Sequence, residues 1–277
     1  MIDYIITSDT PLIFYCFGLI FLIHALAFIP SFIYKTEKFF DFTGMIAYIA
    51  VIFFGLYLKE NIIGNIDTES IILSTLVLIW TIRLGSFLFY RVLKSGKDRR
   101  FSDMKQSFSK FLPVWIMSTL WVCITSAPAL CVITSEVLKY DKLGKLIPID
   151  YSLIYIGIFI WCFGFLFECI ADFQKIIFKS KIKNKDKFIN SGLWSVSRHP
   201  NYFGEIILWI GISMISSSML TGWQYISLIS PIFVYILLTS ISGINLLEKY
   251  ADNKWGDLDS YKKYKKETPE LIPKFWN

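Results

Sequence analysis

The sequence is poor in the residues that build metal and disulfide frameworks. It has 2 histidines, His24 and His199, and 5 cysteines in 277 residues. Cys16, Cys123, Cys131, Cys162 and Cys169 form no CxxC or Cys/His pattern, so neither a metal site nor a disulfide scaffold is expected. All five lie in or beside apolar segments and read as small packing residues. Internal repeats and low-complexity tracts are also missing. The N-terminus lacks the basic region of a secretory leader and carries Asp3 and Asp9 instead, so the first apolar run is expected to be a retained helix.

Long apolar runs are abundant. The chain is 55% hydrophobic and 18% aromatic, with a mean hydropathy of +0.53. A bilayer-crossing helix needs about 20 apolar residues. Seven such crossings are expected, at roughly 12–30, 43–60, 70–90, 112–134, 151–170, 203–220 and 225–244. That leaves room for one membrane domain over 1–277 and no separate soluble one. The fold class expected is all-α and polytopic.

Charge supports this division. Segments 31–42, 91–111, 171–202 and 245–277 hold 2, 7, 7 and 7 Lys/Arg, against 0, 3 and 0 for 61–69, 135–150 and 217–224. Basic residues collect on the cytoplasmic side of a membrane, so the N-terminus is expected outside and the C-terminus inside. The net charge of +6 is then the signature of cytoplasmic loops and not of nucleic-acid binding.

Charge inside a crossing costs about 2.5–3.5 kcal/mol per residue at the helix centre, so polar residues there call for a reason. Arg83 lies in the third crossing, where snorkelling to the interface is one reading and a site the other. Glu168, Asp172, Lys175 and Lys179 follow at spacings of 4, 3 and 4, on one helical face. Intrahelical ion pairs explain that spacing, although such acids also suit ribose and such lysines phosphate. The segment Arg198-His199-Pro200-Asn201-Tyr202-Phe203-Gly204-Glu205 opens the sixth crossing. Proline suits a first helical turn, and a helix start presents free N–H groups to an anion. An N-capped basic anchor does not explain why a carboxylate, an amide and a phenol converge on one turn. The tail carries Glu248, Tyr250, Trp255, Tyr261 and Tyr264, whose rings suit either an amphipathic surface or a planar cofactor.

The stretch from Gly164 to Met214, with Trp80–Leu84, Gly96–Phe101 and the ending Tyr-Lys-Lys-Tyr…Pro-Glu-Leu-Ile-Pro-Lys-Phe, resembles the steroid 5-alpha-reductase C-terminal family and its DUF1295 branch. The resemblance runs from about Asp41 to the C-terminus. It implies a seven-helix bundle that binds NADPH on its cytoplasmic side and reduces a carbon–carbon double bond in a steroid-like or enone lipid. It assigns cofactor contacts to Asp172, Arg198, Asn201, Tyr202 and Glu205, with Arg83, Asp98 and Arg99 near the phosphates and Tyr261 or Tyr264 in the tail. His199 and Lys179 join that set as donors. Glu168 stands where the steroid reductases carry Asn. Trp80 takes the place of their substrate-polarising tyrosine, which leaves Asp41 or Tyr48 as the expected catalytic donor, since indole cannot act as a phenolic acid. The resemblance also suggests a bacterial inner membrane. Two rivals remain. S-adenosylmethionine-dependent isoprenylcysteine and phospholipid methyltransferases carry a similar RHPxYxGE segment, and a non-catalytic lipid-binding protein could retain the pocket.

Overall fold

The computed structural model describes residues 11–95, 101–137, 139–140, 146–147, 149–184 and 186–275. Asp98 and Arg99 lie outside these. The described chain is helical apart from one antiparallel ladder, which pairs β1 (Lys139–Tyr140) with β2 (Leu146–Ile147). It packs as two compact units.

The first unit holds α1 (Ile13–Ile33), α2 (Phe40–Leu58), α3 (Thr68–Ser95) and α4 (Phe108–Ile133). Leucine, isoleucine and phenylalanine dominate all four. Phe101, Phe111 and Trp115 bury against Phe28, Phe32 and Phe40. Among the described residues of this unit, Lys59 is the most deeply buried charged one. α2 ends in a π-helical turn, Lys59–Ile63, and Lys59 is 1% exposed. Its ammonium pairs with Asp67 and donates to Ser70 Oγ at 2.8 Å and to the Val132 carbonyl at 3.1 Å. All three N–H bonds are thereby used, which is the condition for burying an ammonium. Asp67 also accepts the Ser70 N–H at 2.8 Å, the N-capping bond of α3.

The second unit holds α5 (Tyr151–Ser180), α6 (Pro200–Ser217) as far as Ile215, α7 (Ser230–Ile236), α8 (Ile244–Trp255) and α9 (Asp259–Glu267). α5 and α6 cross so closely that glycine is required on both. A Cβ on Gly164 would meet the Leu208 nitrogen at 2.5 Å and the Gly204 carbonyl at 2.6 Å, and a Cβ on Gly204 would meet the Glu168 nitrogen at 2.6 Å. Two turns deeper, Gly157 and Gly211 repeat the approach. Small residues that let backbones touch are the usual packing device of membrane helices.

Six segments are long and apolar enough to cross a membrane: Ile13–Ile33, Phe40–Ile63, Thr68–Lys94, Phe108–Ile133, Tyr151–Ser180 and Gly222–Trp255. Six of the seven expected crossings match these six, the one at 225–244 lying within Gly222–Trp255. The expected crossing at 203–220 is α6, which is not among the six. It has 18 residues, and its opening turns are spent on Pro200, Asn201, Tyr202 and Glu205. α5 is longer than expected. The loop anticipated from residue 171 is helix as far as Ser180, and 30 residues span about 45 Å at 1.5 Å per residue. The bilayer core takes about 30 Å of that, so the last turns, with Asp172, Lys175 and Lys179, have length to emerge.

Candidate active site

The antiparallel crossing of α5 and α6 sets the level of the acids. Glu168 packs its backbone on Gly204, and the next residue is Glu205. Carried one turn further, the same register brings Asp172 level with Pro200, where α6 begins. All three carboxylates are buried: Glu168 is 1% exposed, Asp172 7% and Glu205 7%. They lie near the N-terminal end of α6, where the helix dipole favours negative charge.

The segment before α6 is laced to the end of the chain. Ser197 Oγ donates to the Leu271 carbonyl at 2.8 Å and accepts the His199 N–H at 3.2 Å. The Arg198 N–H donates to the Pro269 carbonyl, and the Lys274 N–H to the Val196 carbonyl, both at 2.9 Å. The Tyr264 hydroxyl donates to the Trp194 carbonyl at 2.6 Å, and burial raises its pKa, so it stays a donor. On the other side, Trp194 Nε1 donates to the Ala171 carbonyl at 3.0 Å, and Gln174 accepts the Leu193 N–H at 2.9 Å. Gly192 makes that turn at φ +63°, with the Gln174 amide in the space a Cβ would need.

Glu248, on α8, is the hub. Its Oε1 accepts from His199 Nε2 at 2.9 Å and lies 3.5 Å from Arg198 Nε, and its Oε2 lies 3.2 Å from Lys265 Nζ. Arg198 also donates to Glu270 at 3.4 Å and to the Lys265 carbonyl at 3.3 Å. Lys265 reaches Asp252 at 2.6 Å, and Tyr261 donates to the same carboxylate at 3.3 Å. Burial would lower the Lys265 pKa, but its bonds to Asp252 and Glu248 hold it above the usual lysine range. His199 is 6% exposed and stacks on Tyr202 at 5.8 Å. Burial pushes its pKa below 6.5, against the pull of Glu248, with Lys175 and Arg198 lowering it further. Its Nδ1 is buried with no hydrogen-bond partner among the described residues.

The expected residues thus fall into two groups. Glu168, Asp172, Arg198, His199, Asn201, Tyr202, Glu205, Tyr261 and Tyr264 share the second unit, as does Lys179. Lys175 and Lys179 rest on rings: Lys175 Nζ is 4.4 Å from the Trp194 centroid, and Lys179 Nζ is 5.5 Å from that of Trp255. Asp41, Tyr48 and Arg83 belong to the first unit. Tyr48 is 3% exposed, hydrogen-bonds Thr125 and meets Trp80 edge-on at 5.3 Å. Sequence reasoning placed Glu248 in an aromatic tail without a role and passed over Asp252, Lys265 and Glu270. One signal was available: Glu248 is the first acid to follow the apolar run into α8.

Comparison with known proteins adds two findings. The chain is similar to a probable O-methyltransferase, ustE, of Ustilaginoidea virens, with 35% identity over 66 residues. That match takes in 24% of this chain and 23% of the other, so this chain spans under a quarter of that relative's length. No solved structure matches. The DUF1295 family, described as proteins of unknown function, matches residues 27–268, from within α1 to just past α9. The chain belongs to the DUF1295 family.

Proposed function

We propose that the protein is a membrane methyltransferase that uses S-adenosylmethionine on a lipid-soluble acceptor. The observation that carries this reading is the charge state of the site. Its guanidinium is already held by Glu248, Glu270 and a carbonyl. Three buried carboxylates, Glu168, Asp172 and Glu205, lie in the same unit around the α5–α6 crossing. NADPH carries several phosphate charges and needs uncommitted cations to hold them. S-adenosylmethionine carries a sulfonium and an ammonium against one carboxylate, so an acid-rich cleft suits it better. The similarity to an O-methyltransferase supports the same choice.

In this reading Glu168, Asp172 and Glu205 hold the ammonium and the ribose hydroxyls, Asn201 and Tyr202 add neutral contacts, and Trp194 and the tail keep the segment in place. The bound molecule supplies an activated methyl group. The chain's task is to hold it against the acceptor and to keep water out, which supplies most of the rate enhancement such a transfer needs. In this reading the site faces the cytoplasm, with α6 as a seventh crossing, and the basic segments support that orientation.

A reductase remains the second reading, favoured by the resemblance of the Gly164–Met214 stretch. It requires Arg198 to exchange Glu270, whose side chain is half exposed, for a phosphate. Titration of detergent-purified protein with each molecule separates the two. Methyl donor binding without NADPH binding is the expected result, and the reverse would overturn the proposal.

A further inference from the structure

His199 and Glu248 form a pair whose geometry does more than brace the chain. Glu248 Oε1 is 2.9 Å from Nε2, and a carboxylate only accepts, so the ring proton sits on Nε2. Nδ1 is then a bare lone pair, buried and without a partner among the described residues. A buried, unsatisfied nitrogen costs about 1–3 kcal/mol, and such a group calls for an explanation. The other histidine shows the ordinary solution. His24 Nδ1 donates to the Ile20 carbonyl at 2.9 Å, and its Nε2 is 3.1 Å from Ser118 Oγ, so both nitrogens are satisfied with the opposite tautomer.

We infer that His199 is the general base of the transfer, with Glu248 as the positioning residue that keeps the proton off Nδ1, and that the acceptor is therefore a hydroxyl. This rests on the methyltransferase reading. A carboxylate acceptor is already anionic and needs no base, whereas a hydroxyl must lose a proton as it attacks. Nδ1 takes that proton while an oxygen electron pair forms the new oxygen–carbon bond. The pair from the broken carbon–sulfur bond stays on sulfur, and the imidazolium then returns its proton to water. The groups that face the ring fit the task. Glu248 on α8 strengthens the base, Arg198 beside it and Lys175 on α5 oppose protonation before the reaction, and Lys265 on α9 pairs with the other Glu248 oxygen at 3.2 Å. Burial keeps the ring neutral at pH 7. The stacked Tyr202 fixes its plane.

Nitrogen-15 NMR of histidine-labelled protein in detergent reads the tautomer without turnover, with His199→Gln assigning the two rings. Two neutral imidazoles of opposite tautomer are expected, with His199 as Nε2–H. Transfer of tritiated methyl from S-adenosylmethionine into a total lipid extract reads the chemistry. The label is expected as an alkali-stable ether, with an acidic limb in the pH profile that follows the His199 titration. Glu248→Gln moves limb and titration together to lower pH, because it removes the charge that favours the imidazolium. His199→Gln lowers kcat about 100-fold with the donor's Kd changed only a few-fold. An Nδ1–H tautomer, an alkali-labile methyl ester or an unmoved limb would each overturn the base while donor binding left the methyltransferase standing. Failure of the wild-type protein to bind donor would remove both.

Discussion

At the scale of single residues, the buried His199 and the partly exposed Lys265 make stability depend on pH in opposite ways. His199 is held neutral, with its pKa below the 6.5 of an exposed imidazole. The unfolded chain then binds a proton before the folded one does. Stability from this group is present above about pH 6.5 and is lost as the pH falls from there towards the folded-state value. Lys265 has the opposite sign, since its pKa is raised from 10.5. Its contribution holds through neutral pH and is lost as the pH rises past that value. The melting temperature should therefore be flat near pH 7–9 and fall on both sides, and His199→Gln should flatten the acid side. Lys59 offers a third test. Removing one partner of a buried pair costs about 3–5 kcal/mol, and Asp67 retains some water, so about 3 kcal/mol is expected for Lys59→Ala. Thermal melts in detergent check it. Donor binding in the second unit should survive.

At the scale of elements, the α5–α6 crossing decides whether the acids meet. The atoms a Cβ would strike at Gly204 are backbone atoms of Gly164 and Glu168, which cannot swing aside. Gly204→Ala should force the helices apart, lower the melting temperature and abolish donor binding, with an overpacking cost of about 1–3 kcal/mol. Gly18→Ala is the control, since nothing lies within 4 Å of its Cβ position and alanine favours a helix. The tail is a second such element. Without residues 268–277 the bonds from Ser197 and Arg198 to Leu271 and Pro269 are lost. Circular dichroism of that truncation should show the helices retained while donor binding fails.

At the scale of the whole molecule, stabilisation by a ligand tests the proposed choice of cofactor. A ligand at about 100 times its Kd adds about 2.7 kcal/mol, which a melting curve resolves readily. S-adenosylmethionine should raise the melting temperature of the full chain, and NADPH should leave it unchanged. Orientation is tested separately. A reporter fused after Asn277 should be cytoplasmic if α6 completes seven crossings, and extracytoplasmic if six segments cross from the same outside N-terminus.

Much of the architecture was readable from residue order, because the bilayer imposes a length and an apolar content that a window of sequence reveals directly. Six crossings follow from that rule, and the polar opening of α6 was legible as a helix start. The end of α5 was only partly legible: the spacing of Glu168, Asp172, Lys175 and Lys179 put them on one helical face, but the stretch from 171 read as loop, since a helix that leaves the membrane keeps its hydrogen bonds while its composition turns polar. The site divides the same way. Arg198 to Glu205 stood out as a cluster of chemically capable residues in one turn. Glu248, 49 residues from His199, carried no local sign of its role. Sequence by itself determined which helices are apolar and where the polar turn lies, because both are properties of neighbours along the chain. Only the tertiary structure decided that Glu248 meets His199, that Arg198 is already paired, and that glycines bring Glu168 to the level of Glu205. Those are contacts between distant segments, and they settle which charges at the site are already spent.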